Sequence, residues 1–256
     1  MKSLSIIIPV YNEEKLLKRQ TERILAGIES LYPEIQFEII LVENGSNDKT
    51  ARIACKLAKD KRIQVVSIKR PSYGLAFKAG LLKAKFEVVF QFDIDFWDLE
   101  FIRQADKLLE TYDFVIGSKN INGARDLRPI KRKLLSRILE KAINIRFPVK
   151  ISDTHGLKAI KKEIVDRYIK DIVCQNHFFD SELMIRMALD GHTFKEIPVS
   201  LQELRNSRFP FLVRLREVAG EFMTLLSLKL APKEAKLPYA YRIQKAMVQY
   251  LVQLFM

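Results

Sequence analysis

Residues 4–10 have the sequence LSIIIPV, a nearly continuous apolar run, and the polar residues YNEE follow it at positions 11–14. An apolar run of this length that is rich in isoleucine is typical of a strand buried on both faces. Residues 13–30 then carry apolar side chains at helical spacing, which indicates that a helix comes next. This stretch therefore predicts the start of a βαβ unit.

The alternation of strand and helix continues along the first half of the chain. Further strands are predicted at residues 37–42, 63–68, 87–92 and 112–117, and helices at residues 48–59, 74–84 and 99–110. Strands that alternate with helices predict right-handed βαβ units and an α/β fold, with a mostly parallel sheet flanked by helices. After residue 150 the pattern is less regular, with strands predicted at 157–160 and 194–199 and helices at 162–169 and 180–190.

We predict one α/β domain over residues 1–208 and a helical extension over residues 209–256. The extension contains two predicted helices, and the second, residues 239–256, is largely apolar, with only Arg242 and Lys245 charged. We expect this helix either to dock on the core or an oligomer partner, or to lie at a membrane surface.

Composition bounds the class of protein. Of the 256 residues, 48% are apolar, which is enough for a sizeable core and excludes wholesale disorder. Cys55 and Cys174 cannot build a disulfide framework or a thiolate zinc cluster, so we expect a reducing compartment, the cytosol. Cys55 lies on a predicted helix and is expected to be buried in packing. The N-terminus lacks the features of a signal peptide, and we expect no membrane-spanning helix.

The net charge of +13 is concentrated in one segment. Residues 125–150 contain nine Lys or Arg side chains against Asp126 and Glu140, a net charge of +7, and their apolar residues recur at helical spacing. This pattern predicts an amphipathic helix with a basic face, which is either an ordinary solvated face or a surface for an anionic partner. Nucleic acid is disfavoured because the segment contains only one aromatic residue, Phe147.

Polar residues follow four of the predicted strands. They are residues 11–14 after the first strand, 43–48 after the second, 93–95 after the fourth, and 117–119 after the fifth. In parallel α/β sheets, ligands bind at the carboxyl ends of the strands. A turn or a helix cap explains any one of these ends, but four together favour a site.

Asp93 and Asp95 are the strongest candidates for chemistry. Both follow a mostly apolar strand, and alternate residues at a strand end can point into one pocket. Carboxylate oxygens there suit Mg²⁺ or Mn²⁺, which would bridge to a substrate diphosphate. The three histidines lack zinc spacing, and the sequence has no dinucleotide-binding glycine motif, no Walker loop and no nucleophile elbow.

Six motifs together resemble the family 2 glycosyltransferases. They are SIIIPVYNEE (5–14), ENGSNDKT (43–50), FQFDID (90–95), VIGSK (115–119), DTHGLK (153–158) and FFDSELMIRMALDGHTFKEIPV (178–199). Their order and spacing resemble most closely the dolichol- or polyprenyl-phosphate sugar synthases, which transfer mannose or glucose. The resemblance implies a GT-A fold, a nucleotide-sugar donor such as a GDP- or UDP-sugar, a divalent metal and inversion at the anomeric carbon.

The resemblance also implies roles for individual residues. Nucleotide contacts fall on Pro9, Tyr11, Asn12, Glu13, Glu43 and Asn44, the metal and diphosphate motif on Asp93 and Asp95, and the acceptor phosphate on Lys119 and Arg132. Asp180 and Glu182 match an acidic pair that opens a late helix of the family. Arg205 and Ser207 fall in the loop that closes over the diphosphate, where Arg208 competes for the role of Arg205.

Four positions depart from the pattern of that family. Glu43-Asn44 replaces a pair of aspartates, which affects the expected base preference, and Trp97 stands where the family has glutamine, near the metal motif. Lys119 is a point charge where a bidentate arginine is usual, so we expect a weaker grip on the acceptor.

The sequence alone is compatible with three functions. Transfer to a lipid phosphate needs no strong base, because the phosphate is already ionised, but it needs cations, which the basic helix would supply. Transfer to a sugar hydroxyl would require a base, with Asp180 or Glu182 as the candidates. A catalytically silent relative would bind a nucleotide or a membrane. Transfer to a lipid phosphate implies polyprenyl or dolichyl phosphate as the acceptor. It also implies peripheral association with the cytoplasmic face of an anionic membrane, or a separate membrane-anchor protein.

Overall fold

The computed structural model describes residues 1–201 and 211–230, with the side chains of 1–200 and 215–230. Arg205 and Ser207, the competing Arg208 and the helix predicted at 239–256 lie outside the described residues.

The chain forms a seven-stranded sheet and a two-stranded sheet with helices around them. The strands are β1 (Ser3–Val10), β2 (Gln36–Glu43), β3 (Ile63–Ser67), β4 (Val88–Gln91), β5 (Phe114–Ser118), β6 (Arg125–Asp126), β7 (Leu157–Lys161), β8 (Phe194–Pro198) and β9 (Ser200–Leu201). The described helices are α1 (Leu17–Leu31), α2 (Thr50–Leu57), α3 (Tyr73–Lys83), α4 (Leu99–Leu108), α5 (Ile130–Arg146), α6 (Lys162–Tyr168), α7 (Phe178–Leu189) and α8 (Phe211–Ser227).

The strand order of the large sheet is β3-β2-β1-β4-β7-β5-β8. Neighbouring strands are parallel except that β7 runs antiparallel to both β4 and β5. The predicted mostly parallel α/β sheet is therefore confirmed. The antiparallel direction of β7 was not predicted, because a short apolar run does not reveal its direction.

Both faces of the large sheet are buried, which explains the continuous apolar run in β1. Ile6 and Ile8 contact the layer that contains α1, α2 and α4, whereas Ile7 contacts the opposite layer, which contains α3, α5, α6 and α7. All three side chains are fully buried. Burying one such side chain contributes about 1.5–3 kcal/mol, so the two layers stabilise the sheet from both sides.

Several local predictions need correction. The thiol of Cys55 is exposed on α2 instead of buried, because its side chain falls on the solvent side of that helix. Helix α1 begins at Leu17, since residues 13–16 form a turn in which the Glu13 carbonyl accepts from the amide of Leu17 at 2.9 Å. Within the described residues, no helix combines the length and apolar character that crossing a bilayer requires.

The antiparallel strand brings a loop to the carboxyl edge of the parallel strands. Residues 153–156 precede β7 and therefore lie beside the end of β5. Gly156 is needed there, because a Cβ atom at this position would lie 2.0 Å from the carbonyl oxygen of Gly117.

We predict that Gly156→Ala destabilises the fold by about 1–3 kcal/mol or more, because the obstructing atom belongs to the backbone and cannot rotate away. Urea unfolding of purified protein measures the change. Gly220→Ala on α8 is the control, since a Cβ there meets no atom within 4 Å. It should be neutral or stabilise by up to about 1 kcal/mol, as expected for alanine in a helix. Equal stability of Gly156→Ala and wild type would contradict the prediction.

Candidate active site

A cleft of about 540 Å³ opens at the carboxyl edge of the sheet. Its walls come from the end of β1, the start of α3, the turn after β4, one face of α5 and one face of α8. Eight of the residues predicted for the site line this cleft: Pro9, Tyr11, Glu13, Asn44, Asp93, Asp95, Lys119 and Arg132.

The two aspartates are held in a tight turn. The amide of Asp93 donates to the carbonyl of Phe96 at 3.1 Å, and the amide of Phe96 donates back to the carbonyl of Asp93 at 3.0 Å. The side chains of Asp93 and Asp95 both line the cleft. Burial, together with the nearby charges of Asp95 and Asp180, raises the pKa of Asp93 to about 7.

Two adjacent carboxylates in a buried cleft fit a divalent cation. A cation would offset both causes of the raised pKa of Asp93, burial of the charge and repulsion by Asp95 and Asp180, and hard carboxylate oxygens are the donors that Mg²⁺ and Mn²⁺ prefer. No cluster of three or more metal-binding side chains occurs among the described residues. Other ligands of a cation at this place would therefore come from water or from a phosphate-bearing substrate, as is usual for Mg²⁺.

Asn12 and Glu43 hold the loops instead of lining the cleft. Asn12 has a positive φ of 52°, and its Oδ1 accepts from the amide of Asn47 at 3.0 Å. A Glu43 carboxylate oxygen accepts from the amide of Ser46 at 2.6 Å. The Asn12 contact joins the loop after β1 to the loop after β2, and the Glu43 contact holds the second loop, so both residues position the wall that Tyr11 and Asn44 present to the cleft.

Asn44 connects this wall to the beginning of α3. Its Oδ1 accepts from the amide of Ser72 at 2.8 Å, and the Ser72 hydroxyl caps α3. The residue that replaces an aspartate of the family pattern thus has a hydrogen bond that an ionised aspartate could also accept.

Lys119 lines the cleft, but its charge is already compensated. Its Nζ lies 2.9 Å from a carboxylate oxygen of Asp153 and donates to the carbonyl of His155 at 2.9 Å, and both members of the ion pair are buried. Burial raises the pKa of Asp153, but the charge and hydrogen bonds of Lys119 outweigh it, so this pKa lies below its ordinary value. Lys119 therefore stabilises this wall as well as facing the cleft.

Helix α5 presents one face to the cleft. Arg132, Ser136 and Glu140 are four residues apart and line the cleft together. Burial and the nearby charge of Asp153 raise the pKa of Glu140 to about 9, so its carboxyl group is neutral at pH 7. Arg132 is thus not opposed by an ionised Glu140 on the same face.

Asp180 and Glu182 contact different parts of the structure, although they are two residues apart in sequence. Asp180 lies below the cleft and accepts from the hydroxyl of Tyr73 at 2.9 Å and from the buried Nζ of Lys158 at 3.0 Å. Glu182 accepts from the amide of Cys174 at 2.8 Å and forms an ion pair with Arg186. Both acids hold neighbouring segments in place in this structure, and neither is among the residues that line the cleft.

The sequence profile of glycosyl transferase family 2 matches residues 5–169, which include the strand ends that form the cleft. The chain belongs to this family. Among curated relatives, this glycosyltransferase is 28% identical over 204 residues to glycosyltransferase AglD of Haloferax volcanii, covering 77% of this chain and 32% of the relative. It is 28% identical over 219 residues to a dolichyl-phosphate beta-glucosyltransferase of Trichomonas vaginalis, covering 80% and 67%. The chain thus spans about a third of the first relative and about two thirds of the second.

A third relative matches over most of both chains. An undecaprenyl-phosphate 4-deoxy-4-formamido-L-arabinose transferase of Photorhabdus laumondii is 27% identical over 252 residues, covering 90% of this chain and 75% of the relative. Among solved structures, glucosyl-3-phosphoglycerate synthase of Mycobacterium tuberculosis, in complex with Mn²⁺, UDP and glucosyl-3-phosphoglycerate, superposes with a TM-score of 0.63 at 20% identity. That likeness covers 88% of this chain and 79% of the other, and the expected GT-A fold is confirmed.

Trp97, which stands where the family has glutamine, is not among the residues that line the cleft. Its indole packs against the layer that contains α1, α2 and α4, where Nε1 donates to Gln20 at 3.2 Å. The guanidinium of Arg23 lies 5.4 Å from the ring centroid. The aromatic residue therefore replaces a polar one without filling space near Asp93 and Asp95.

Several residues that line the cleft were missed in the sequence. Among them are Tyr73, Arg128, His155, His177, Glu217 and Glu221. Arg128 forms an ion pair with Asp126 at 2.8 Å, and the ring of Tyr73 lies 4.4 Å from that of His177. Burial lowers the pKa of His155 to about 4, so its ring is neutral at pH 7. Position in a motif could have indicated His155, but the glutamates of α8 carry no such signal.

We predict that Asp153→Ala lowers the free energy of unfolding by about 3–5 kcal/mol, because it leaves the buried charge of Lys119 without its partner. Urea unfolding at pH 7 measures this loss. Asp166→Ala is the matched control, since the ion pair of Asp166 with Lys162 is at the surface and contributes at most about 1 kcal/mol.

The effect of Asp153→Ala should also depend on pH. Because the pKa of Asp153 is lower in the folded state, its contribution is complete above the unfolded-state pKa of about 3.9 and is lost as the pH falls further. A loss for Asp153→Ala no larger than that for Asp166→Ala at pH 7 would show that the buried pair is unimportant.

Proposed function

We propose that this glycosyltransferase moves a hexose, mannose or glucose, from a nucleotide diphosphate sugar to a polyprenyl or dolichyl phosphate. The proposal depends on one observation, that the carboxylate pair Asp93 and Asp95 and the cation Arg132 of α5 line the same cleft. The names of relatives, a dolichyl-phosphate glucosyltransferase and an undecaprenyl-phosphate sugar transferase, support the same acceptor class.

The donor end of the cleft is the end with the aspartates. Tyr11, Glu13 and Asn44 would contact the nucleoside, and Arg205 would contact the diphosphate. Asp93 and Asp95 would hold Mg²⁺ or Mn²⁺, which when bound neutralises charge on the diphosphate. Without a cation, these carboxylates would repel an anionic donor, so the proposal includes a divalent metal.

The acceptor end of the cleft is the end formed by α5. Arg132 and Ser136 would bind the acceptor phosphate, and Lys119 adds positive charge, although its ion pair with Asp153 reduces this contribution. A phosphate oxygen attacks the anomeric carbon, the bond from that carbon to the diphosphate breaks, and the nucleoside diphosphate leaves with inversion. The attacking oxygen is already ionised near pH 7, so no residue has to remove a proton.

The proposed division of the chain assigns residues 1–208 to the transferase domain and residues 209–256 to a helical extension. Helix α8 belongs to the extension by this division, yet Glu217 and Glu221 line the cleft. The extension would therefore contribute to the site and not only to attachment.

The direct test is incubation of the purified chain with GDP-mannose, UDP-glucose or UDP-GlcNAc, a polyprenyl phosphate and Mn²⁺. Mass spectrometry of the organic phase identifies a glycosylated lipid phosphate. A product formed only on sugar hydroxyl acceptors would replace the proposal by the hydroxyl-acceptor function. Absence of any product with intact donor binding would support a silent relative.

We predict that Asp95→Asn reduces transfer by about a hundredfold or more, since it removes a charge that the cation requires. The organic-phase assay, run as a Mn²⁺ titration, measures the loss, and EDTA should abolish wild-type activity. Asp166→Asn changes a surface aspartate in the same way and should retain full activity. Undiminished activity of Asp95→Asn in the presence of EDTA would rule out the proposed metal site.

We predict that Arg132→Ala raises the KM for a short-chain acceptor phosphate and leaves donor binding nearly unchanged. Loss of one charge-assisted contact costs about 1.5–3 kcal/mol, which lowers kcat/KM roughly ten- to a hundredfold. Arg137→Ala is the matched control, because Arg137 is on the same helix but exposed outside the cleft.

The same kinetics separate the two acceptor classes. With a hydroxyl acceptor, Asp180→Asn would flatten the pH profile and Arg132→Ala would be mild. Thermal melts of each variant are required, because Asp180 also holds Tyr73 and Lys158. An unchanged acceptor KM in well-folded Arg132→Ala would defeat the assignment of the acceptor site.

A further inference from the structure

The exposed apolar side chains of this protein are concentrated around two helices. Among the described residues, ten large apolar side chains are exposed, and only Leu82 and Val173 lie outside α5, the turn before it, and α8. The other eight are Leu127, Ile130, Leu134, Ile138, Ile145, Leu215, Met223 and Leu226. Scattered exposed apolar residues are normal, but a concentration of this kind marks an interaction surface.

Helix α5 carries an apolar stripe on the face opposite the cleft. Ile130, Leu134 and Ile138 are four residues apart and therefore lie on one face, with 81%, 57% and 45% of their surface exposed. We call these three residues the α5 stripe. The cleft-lining residues Arg132 and Ser136 are offset from it by two positions, about 200° around the helix. The helix thus separates the cleft from the exposed stripe.

Helix α8, which packs against α5, repeats the pattern. Glu217 and Glu221 line the cleft, whereas Leu215, Met223 and Leu226 are exposed at spacings that place them on another face. Both helices that close the outer side of the cleft therefore present apolar side chains away from it.

Positive charge surrounds the α5 stripe. Lys131, Arg137 and Lys141 are exposed on the same helix, and residues 125–150 have a net charge of +7. An apolar face bordered by Lys and Arg is the pattern of a helix that lies in the plane of an anionic membrane surface.

We propose that the α5 stripe docks this protein on an anionic lipid bilayer, with its apolar side chains inserted below the headgroups and the flanking cations among them. One consequence rests on the proposed function, namely that docking brings the cleft to a lipid acceptor. Since a helix with its side chains is about 10–12 Å across, the cleft would open within about one helix diameter of the lipid surface. A lipid phosphate could then enter the acceptor end while its hydrocarbon chain stays in the membrane.

Charge decides between a bilayer and other occupants of the stripe. A second copy would bring two segments of +7 together, which is repulsive. Residues 239–256 are apolar enough to cover the stripe, but they contain no acidic residue and add Arg242 and Lys245. Anionic lipid complements both the apolar and the basic features.

The test is binding of the full chain to vesicles of phosphatidylcholine with or without phosphatidylglycerol, measured by flotation at low and high salt. The double variant Ile130→Ser/Leu134→Ser should bind the anionic vesicles at least tenfold more weakly than wild type at both salt concentrations. The matched control Leu82→Ser/Val173→Ser changes two exposed apolar residues elsewhere and should bind as wild type does. Wild-type binding should weaken, but not vanish, at high salt, because only its electrostatic part is screened.

Transfer to a short-chain, water-soluble acceptor phosphate should be unchanged in the double variant, which separates docking from the proposed chemistry. If wild type transfers to no lipid phosphate but still needs the stripe for vesicle binding, the proposed function fails and the docking surface stands. Wild type that ignores anionic vesicles would overturn the docking surface and leave a separate anchor protein as partner. A double variant that binds like wild type would overturn it as well.

Two further results would identify another occupant and overturn the proposal. A wild-type dimer in light scattering that the double variant converts to monomers would assign the stripe to a second copy. A lower melting temperature of the lipid-free double variant would show that another segment of the chain covers the stripe.

Discussion

The architecture depends on burial of both faces of the central strands. Because both faces of β1 and β4 are covered by apolar layers, the charged side chains near these strands are placed where the strands end. The aspartates after β4 and the polar loop after β1 are therefore concentrated at one edge. Burial there also raises the pKa of Asp93, since the same apolar layers exclude water from the floor of the cleft.

Buried charges near the cleft are arranged in compensating pairs. Lys119 is paired with Asp153, Lys158 with Asp180, and Arg128 with Asp126. Beside these pairs, the carboxylates of Asp93 and Asp95 lie close together, and burial together with the charge of Asp95 raises the pKa of Asp93. Two neighbouring carboxylates favour a bound cation. The ion pairs around them hold the walls of the cleft without adding net charge.

The sequence was sufficient to predict the parallel half of the fold and the residues at the strand ends. Residues 4–10 and 87–92 are recognisable because strands buried on both faces have continuous apolar runs. The antiparallel direction of β7 was not predictable, and for the same reason the position of the preceding loop, with Asp153 and His155, beside the cleft was missed. Strand direction depends on tertiary pairing, which a five-residue segment does not encode.

The central position of β7 has a consequence for biosynthesis. On one side β4 pairs with β1, but its other edge pairs only with β7, which is made almost seventy residues later. Until the ribosome has released residues 157–161, that edge of β4 presents unpaired amides and carbonyls beside a strongly apolar layer. A nascent chain in which β1 to β4 had already paired would expose this open edge, the kind of surface that chaperones protect from association.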